Sequence, residues 1–370
     1  MAGDRRELEL VKAGLKDRIV DLCGQLLPGG RREGRLWVAH NPQTGDAGSH
    51  PKDPALKVAL DRDVGAWTDW RSGDKGDVIG LVSHCLGMDF KAALAWSRQW
   101  LGLGAMTVPQ RADFSARIER RRKDAEARAA DQRQERRKAV SRLWNAAGPV
   151  AADTPEAFAV NRYLALGRGV PLGDVPNLDP DTFRAHPSLE WWKGARWEQH
   201  DGRRRKVAPG PTFPALVSAF RAPTGQVTGV HCTFLDPLAP SKAPVASPKL
   251  MFGDTLGAPI RISDGPSCGP DGPREPAPVI LCEGVEDGLS LAIGAPEARV
   301  WACGALVHMG AAPVWLDEVE TIFVAADNDW SSRQAQDQLD QVLAQLEASG
   351  KPVAIMRSAV GKDFNDGMVP

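Results

Sequence analysis

The sequence of 370 residues lacks the features that define several classes of protein. Its six cysteines form no Cys-x-x-Cys pair, which argues against both a disulfide scaffold and a cysteine-rich zinc site. No unbroken apolar run approaches the roughly 18 residues of a membrane span, and the mean hydropathy is −0.30. The first ten residues contain no apolar signal-peptide core. We therefore expect a cytoplasmic protein with no membrane contact.

Charge is distributed unevenly along the chain, although the formal net charge is only −1. Residues 111–145 contain twelve basic and six acidic side chains, whereas residues 276–370 contain five basic and fourteen acidic ones. This contrast indicates contact with a polyanion in the middle of the chain and binding of cations at its end. A typical domain has about 150 residues, so the length predicts two or three domains.

Hydrophobic periodicity in the first third of the chain predicts a compact domain of mixed structure. Apolar residues recur at steps of three and four over residues 8–27, which is typical of one buried helix face. Short strands are predicted at residues 35–38 and 56–60, and a helical stretch over 77–101 that breaks at Gly87. A charged helix then follows over residues 111–144. It is either a spacer or a helix that also contacts a nucleic-acid backbone through Arg120–Lys123 and Arg136–Lys138.

The middle region begins with a helix-start signal and continues with strands. Thr154 and Pro155 provide a side-chain cap and a first turn for a helix that runs to about residue 166. Two strands joined by a turn at residues 223–225 form a predicted hairpin. The Pro- and Gly-rich tract at 237–278 predicts loops, with short strands near 250–252 and 259–262.

Acidic residues follow each of three predicted strands in the last hundred residues. Glu283 follows the strand at 279–282, Asp327 and Asp329 follow the strand at 321–326, and Asp363 comes after the strand at 353–356. Helices alternate with these strands, which indicates a parallel sheet whose carboxyl edge collects the acids. Crowded carboxylates repel one another unless a cation lies between them, and their oxygens suit Mg²⁺. The sequence therefore predicts a Mg²⁺ (or Mn²⁺) site.

The segments EGVED, AADND and GKDFND resemble the three motifs of the Toprim domain, which is shared by bacterial-type primases, topoisomerases and some nucleases. The resemblance implies that Glu283, Asp327 and Asp329 are catalytic. Glu283 would act as a general acid or base, and it would join Asp327, Asp329 and Asp363 around the metal. The chain departs from primases after the Asp-x-Asp pair, where residues 330–332 replace their small-residue helix start.

An upstream pattern is similar to the one that precedes the Toprim domain in primases. It consists of Phe213-Pro214, the glycines of a predicted hairpin, and Pro248-Lys249-Leu250. This resemblance implies that Lys249 holds nucleotide phosphates or the template. Further nucleotide- or DNA-binding side chains implied by the same pattern and by the basic run at 203–206 are those of Lys242, Arg221, Arg261, Arg204 and Arg205.

The segment at residues 76–96 resembles the helical end of the zinc ribbon that precedes primase cores. By that resemblance the four zinc-ligand positions are occupied by Trp37, His40, Asp69 and Ser72, of which only His40 is a usual zinc ligand. We therefore expect a degenerate ribbon without zinc. Trp37, Trp67 and Trp70 are expected to pack in place of the metal, and His50, His84 and Cys85 are expected to have structural roles.

The resemblance as a whole implies an α+β multidomain fold. Its predicted parts are a zinc-free ribbon domain at 1–105, a charged helical linker at 106–148, a mixed α+β primase subdomain at 149–275, and a Toprim α/β domain with a central parallel sheet at 276–370.

The implied activity is that of a phage- or prophage-type DNA primase that joins nucleoside triphosphates on single-stranded DNA. No GxxxxGK[ST] phosphate loop occurs, so a separate helicase is the expected partner. Two alternatives stay open at this stage: a metal-dependent Toprim nuclease, and a non-catalytic replication accessory that binds single-stranded DNA. A topoisomerase is disfavoured because the only tyrosine, Tyr163, lies in a predicted helix with core spacing.

Overall fold

A computed structural model describes residues 2–43, 54–61, 63–179, 181–200, 203–265, 275–328 and 333–368. The chain divides into two compact units, Met1–Asp131 and Gln132–Pro370. The boundaries predicted at residues 105, 148 and 275 stay predictions.

The helices of the described residues are α1 (Ala2–Asp17), α2 (Ile19–Leu26), α3 (Val78–Leu86), α4 (Phe90–Trp100), α5 (Val108–Ala146), α6 (Pro155–Arg168), α7 (Val285–Gly294), α8 (Leu306–Met309) and α9 (Arg333–Glu347). The first strands are β1 (Arg31–Glu33), β2 (Leu36–Ala39), β3 (Leu56–Ala59), β4 (Trp67–Asp69), β5 (Lys75–Gly76), β6 (Gly148–Pro149), β7 (Phe183–Glu190), β8 (Arg196–His200) and β9 (Arg203–Ala208). The remaining strands are β10 (Thr212–Arg221), β11 (Val227–Phe234), β12 (Lys249–Gly253), β13 (Ile260–Ser263), β14 (Ala277–Cys282), β15 (Arg299–Ala302), β16 (Val319–Ala326) and β17 (Val353–Arg357).

The first unit packs helices against an antiparallel sheet in which β1 to β5 are neighbours in chain order. The predicted helix at 8–27 is two helices, because the backbone leaves helical geometry at Arg18. The predicted break at Gly87 is confirmed: this glycine has φ +63° and ends α3. At the other end of α3, the Asp77 carboxylate accepts hydrogen bonds from the first free backbone N–H groups.

A hydrogen-bonded cluster surrounds Asp69, one of the positions aligned with zinc ligands. Asp69 is buried and accepts a hydrogen bond of 2.8 Å from Asn41 Nδ2, which lies 3.0 Å from His84 Nε2. The His84 ring packs on Trp67 with ring centres 4.3 Å apart. His84 thus has the structural role that was expected. The absence of zinc itself stays a prediction.

The predicted packing of the three tryptophans is only partly correct. Trp67 is buried and Trp37 packs against the core of the first unit. The prediction for Trp70 is wrong, since its side chain is 67% exposed. Trp70 follows the last residue of β4, where the chain turns away from the sheet. His50, also expected to be structural, lies outside the described residues.

No single helix in the described ranges is long and apolar enough to cross a membrane; the pair α3 and α4, bent by 105°, qualifies by length and composition only. The apolar side chains of α3 are buried in the core of the first unit.

Helix α5 confirms the predicted charged helix at 111–144 and extends it at both ends. Its central part is exposed, and Glu119–Arg122 and Glu135–Lys138 pair along its surface. Such exposed pairs are screened by solvent and contribute little to stability. Its contact with nucleic acid stays a prediction.

The second unit is built on one large mixed sheet. Over the described residues the strand order is β12-β11-β10-β13-β15-β14-β16-β17, with β7 also paired to β10 and β6 to β7. Strands β15, β14, β16 and β17 are parallel to one another. The other pairings of the sheet, including the one between β13 and β15, are antiparallel. This arrangement confirms the α+β fold class and the parallel sheet predicted for the C-terminal region.

Local signals in the second unit were also informative. The Thr154 hydroxyl caps α6 as expected, and the turn at 223–225 joins β10 to β11. The short strands near 250 and 260 are confirmed as β12 and β13. Strand β15 was missed because it has four residues and starts with a charged one. The Arg299 guanidinium is buried, where it donates to two backbone carbonyl oxygens.

Candidate functional site

Two of the predicted acids lie at the same edge of the parallel sheet. Glu283 follows the end of β14 and Asp327 follows the end of the neighbouring strand β16, with Leu281 paired to Val324. Both acids line one cavity of about 450 Å³ together with Lys362. The walls of this cavity come from α8 and α9, which flank the strand ends. The sequence pattern of acids after strands therefore does lead to one place for Glu283 and Asp327.

Asp363 lies in the loop that follows β17. Its Oδ1 accepts hydrogen bonds from the backbone N–H groups of Asn365 (3.1 Å) and Asp366 (3.0 Å). Gly361 in this loop has φ +69°, and a Cβ there would lie 2.3 Å from Asp366 Oδ2. A glycine is thus required for the loop to close on itself and present Asp363.

Asn328 fastens this loop to the end of β16. Its backbone N–H donates to the carbonyl oxygen of Lys362 (2.9 Å), and its Nδ2 donates to those of Gly361 and Ser358 (3.0 Å each). The loop that carries Asp363 is therefore held beside the strand end that carries Asp327.

Asp287, in the first turn of α7, is an acid that the sequence reasoning missed. Its Oδ1 accepts a hydrogen bond of 3.2 Å from the backbone N–H of Asn365. Burial raises the pKa of Asp287 to about 6, assisted by the negative charges of Asp363 and Asp327. The available signal was its spacing of four residues from Glu283, which places both acids near the start of one helix.

The acidic edge, defined here as Glu283, Asp287, Asp327 and Asp363, has the donor chemistry of a magnesium site. Carboxylates that raise one another's pKa are stabilised in their ionised form by a divalent cation between them. Among the residues that the structure describes, however, no three Asp, Glu, His or Cys side chains form a ready metal-binding group. Asp329, the remaining predicted ligand, lies outside the described residues.

A second group of charges surrounds Glu286, the residue next to Asp287. The Glu286 side chain is buried, and its Oε1 accepts a hydrogen bond of 2.6 Å from the Tyr163 hydroxyl. Its Oε2 accepts one of 2.8 Å from Lys249 Nζ, and Lys242 Nζ lies 3.5 Å from Oε1. We call Glu286 with Tyr163, Lys242 and Lys249 the Glu286 cluster.

The cluster changes the pKa values of its members. Burial alone would raise the pKa of Glu286, but the positive charges of Lys249 and Lys242 lower it well below its usual range. Burial lowers the pKa of Lys242 to about 8, against the opposing attraction of Glu286. Nearby in β11, burial lowers the pKa of His231 to about 4, which keeps the ring neutral at pH 7.

Tyr163 is unsuited to the nucleophilic role that a topoisomerase requires. Its side chain is buried, and its hydroxyl both donates to Glu286 and accepts from Arg168 Nε at 3.0 Å. Burial and the charge of Glu286 raise the pKa of Tyr163 well above its usual range. Ionisation of this hydroxyl for attack on a phosphodiester is therefore unfavourable.

The structure brings together only some of the predicted basic residues. Lys249 and Lys242 meet at Glu286, whereas Arg221 donates to the carbonyl oxygens of Gly225 and Asp181. The Arg261 side chain is only 6% exposed and lies against Glu318 and the Trp301 ring. Its alternation with Ile260 and Ile262 in β13 places it inside the sheet rather than at a nucleotide site.

Arg204 and Arg205 lie on the two-stranded hairpin of β8 and β9. Arg205 is exposed, while the side chain of Arg204 lies outside the described residues. Trp197 on the opposite strand is 44% exposed. In the pairing of the two strands, Arg205 lies opposite Glu198 and Trp197 lies opposite Lys206.

Comparison with family models assigns two regions of the second unit. Residues 278–369 match the model described as Toprim domain. These residues form a Toprim domain. The match confirms the interpretation of the EGVED, AADND and GKDFND segments, and the acidic edge belongs to this Toprim domain. Residues 134–262, which include β7 to β12, match a domain of unknown function, DUF7146.

Several solved primase structures are similar to the chain. The zinc-binding and RNA polymerase domains of Aquifex aeolicus primase share 14% identity, with 97% of this chain and 81% of that chain covered and a TM-score of 0.35. A DNA primase domain from Pseudomonas aeruginosa shares 15% identity, with 62% and 73% covered and a TM-score of 0.41. A DnaG primase catalytic domain bound to ssDNA shares 16% identity, with 64% and 77% covered and a TM-score of 0.41. No curated protein matches the chain.

Proposed function

We propose that the protein is a primase-like nucleotidyltransferase that joins nucleoside triphosphates on a single-stranded DNA template. The observation that carries the proposal is the acidic edge of the Toprim domain, where Glu283 and Asp327 line one cavity. Asp363 and Asp287 lie close enough for the charge of one to raise the pKa of the other. Phosphoryl transfer depends mainly on charge stabilisation and alignment, which such a site provides when it holds metal ions.

Each member of the edge has a proposed role. Glu283 would accept the proton of the attacking 3′-hydroxyl or orient a metal ligand, while Asp327 and Asp363 would hold Mg²⁺ or Mn²⁺. Asp329, which lies outside the described residues, is a further metal ligand by the sequence resemblance alone. Asp287 is a further oxygen donor at the same edge. Bound Mg²⁺ would neutralise charge on the phosphate oxygens and align the reacting groups.

The cationic residues would bind the polyanionic substrates. Lys249, with Lys242 beside it, would hold nucleotide or template phosphates, and the hairpin of Arg204 and Arg205 would guide the template strand. Binding through such contacts weakens steeply as salt concentration rises. One of the similar structures is a primase domain bound to ssDNA, which supports this assignment of the partner. We also propose a separate helicase as partner in a phage-type replication system, since the sequence has no phosphate loop of its own.

Two alternative functions use the same residues differently. A Toprim nuclease would direct the acidic edge at hydrolysis of a phosphodiester, and an accessory protein would bind single-stranded DNA without chemistry. Incubation with single-stranded DNA, Mg²⁺ and labelled nucleoside triphosphates separates the three. Extension products support the primase, shortened DNA supports the nuclease, and unchanged DNA that is nevertheless bound supports the accessory.

The variant Asp327→Asn provides the decisive control. We expect it to lower the rate of primer synthesis about 1,000-fold or more, because the lost charge acts on the transferring phosphate. The affinity for DNA should change less than threefold. Asp340→Asn, at an exposed position of α9, is the matched control and should retain activity. Synthesis that survives Asp327→Asn would contradict the proposed role of the acidic edge.

A further inference from the structure

The Glu286 cluster contains more positive than negative charge. Lys242 comes from the loop between β11 and β12, Lys249 opens β12, and both ammonium groups contact the one buried carboxylate of α7. Arg168, at the end of α6, donates to Tyr163 but also lies near the negative charges of Asp363 and Asp366, so the excess positive charge is that of the two lysines. A pair formed only to neutralise Glu286 would need a single cation. The excess of positive charge therefore points to an anion that arrives from outside.

The two lysines and the carboxylate differ in their access to solvent. The side chains of Lys249 and Lys242 are 34% and 25% exposed, whereas that of Glu286 is 4% exposed. An approaching anion therefore meets the ammonium groups and is shielded from the carboxylate behind them. Ammonium groups held in place lose less side-chain entropy on binding than freely moving ones.

Helix α7 connects this cluster to the acidic edge. Glu286 and Asp287 are consecutive, and Asn365 links the region further: its backbone N–H donates to Asp287, and its Nδ2 donates to Ser290 Oγ (3.0 Å) and to the Arg168 carbonyl oxygen (2.9 Å). The cationic pair and the acids are thus fixed by one helix and one bridging amide.

We propose that Glu286 is a positioning residue whose buried carboxylate holds Lys242 and Lys249 side by side as a paired binding site for a phosphate group. The inference rests on the proposed function, and it assigns to Glu286 a role that the Toprim match does not provide. The phosphate belongs either to a nucleoside triphosphate or to the template strand. In both cases Glu286 does not touch the substrate but sets where the two ammonium groups lie.

The first experiment measures how reactive the amino groups of the two lysines are, without any activity assay. An amine-reactive reagent is applied to the wild type, Glu286→Gln and Glu286→Asp, and the modified lysines are quantified by mass spectrometry. We expect the rates at Lys242 and Lys249 to rise at least fivefold in Glu286→Gln, and less in Glu286→Asp, which keeps the charge. Unchanged rates in Glu286→Gln would overturn the proposal.

The matched control is Asp254→Asn, which also removes a carboxylate that lies between two cations. Asp254 is 3.6 Å from Arg136 and 3.7 Å from Arg137, and it follows the last residue of β12, at the opposite end of that strand from Lys249. Its loss should leave the labelling of Lys242 and Lys249 unchanged. A rise equal to that in Glu286→Gln would show a general loosening of the fold and would overturn the assignment.

The second experiment measures phosphate binding directly. Inorganic triphosphate and a short oligo-dT are titrated separately in the absence of divalent ions. We expect Glu286→Gln to weaken at least one of them tenfold or more; loss of triphosphate binding alone identifies the nucleotide, and loss of oligo-dT binding alone identifies the template. Unchanged or tighter binding of both probes would refute the positioning role.

These measurements separate the inference from the proposed function. Phosphate binding that depends on Glu286, in a protein that makes no primers, would support the inference and contradict the function. If Glu286→Gln does not fold, as judged by circular dichroism, the test passes to Glu286→Asp and Lys242→Met. Lys242→Met should weaken the same probe at least threefold, whereas Lys351→Met, which removes a lysine that donates to the carbonyl oxygens of Leu316 and Val319, should affect the binding of neither probe. An equal loss in both lysine variants, or none in Lys242→Met, would count against the paired site.

Discussion

Glu286 and Asp287 are consecutive carboxylic acids on one helix, yet their surroundings shift their pKa values in opposite directions. Lys249 and Lys242 hold the pKa of Glu286 well below its usual range despite burial, whereas burial, Asp363 and Asp327 raise the pKa of Asp287 to about 6. Burial is common to both residues. The sign of the effect is therefore decided by the partners that the fold brings to each side of α7.

The comparison distinguishes a satisfied charge from an unsatisfied one. Glu286 has three hydrogen-bonding or ion-pair partners within 3.5 Å, so its ionised form is stable in the protein alone. Asp287 accepts one backbone hydrogen bond and faces other carboxylates. An environment of that kind favours an external cation. We therefore expect the acidic edge to gain stability from a bound cation, whereas the Glu286 carboxylate is already paired within the protein.

The largest effect on stability is expected for Glu286→Gln. Removing one partner of a buried ion pair costs about 3–5 kcal/mol, because the remaining charges are left without compensation. Urea denaturation at pH 7.5 should show this loss in the free energy of unfolding. Asp254→Asn, at a partly exposed ion pair, should change the same quantity by less than about 1 kcal/mol. Equal losses in the two variants would remove the distinction between the cluster and ordinary surface pairs.

Mg²⁺ tests the other side of the comparison. We expect the wild type to unfold at a higher temperature in Mg²⁺, with a gain of about 2.7 kcal/mol when the ion is at 100 times its dissociation constant. EDTA should reverse the gain, and Asp327→Asn should lose most of it. The Asp254→Asn variant should respond as the wild type does. A wild-type protein whose melting temperature does not change in Mg²⁺ would contradict the proposed metal site at the acidic edge.

Asp287→Asn should stabilise the metal-free protein at neutral pH. The folded pKa of about 6 lies above the ordinary value of 3.8, so the folded state binds this proton more tightly than the unfolded state does. The free energy of unfolding is therefore highest below pH 3.8, falls as the pH rises from 3.8 to 6, and stays at the lower value above pH 6. We expect the variant to gain about 3 kcal/mol at pH 7.5 in EDTA and nothing near pH 3.5.

Chemical denaturation at the two pH values checks this expectation. The same variant should lose part of the Mg²⁺ response, because an amide is a poorer ligand than a carboxylate. A destabilised Asp287→Asn protein at pH 7.5 would mean that the carboxylate has a favourable partner.

The sequence indicated the acidic edge but not the Glu286 cluster. Acids that follow parallel strands meet at one edge whatever the details of packing, so Glu283 and Asp327 were predictable from local patterns. The partners of Glu286 are 37 residues before it at Lys249 and 123 residues before it at Tyr163. No local pattern encodes that meeting, which depends on how α6 and β12 pack around α7.

Arg261 shows that local sequence can also suggest a binding role for a residue that lies inside the sheet. Its charge suggested a nucleotide contact, but its neighbours Ile260 and Ile262 are both buried in β13, and the strand lies between β10 and β15. A run of residues buried on both faces indicates an interior strand, and that pattern overrides the charge of one side chain.

The smallest effect is expected for Tyr163→Phe, which removes one donor from Glu286 and keeps both lysines. A hydrogen bond to a charged group contributes about 1.5–3 kcal/mol, and we expect the low end because the ion pairs remain. Arg168 loses its acceptor at the same time, which adds to the loss of stability. The labelling rate of Lys249 should change less than twofold, because its ion pair with Glu286 is kept. A loss as large as that of Glu286→Gln would mean that the hydroxyl, rather than the two ammonium groups, stabilises the buried carboxylate.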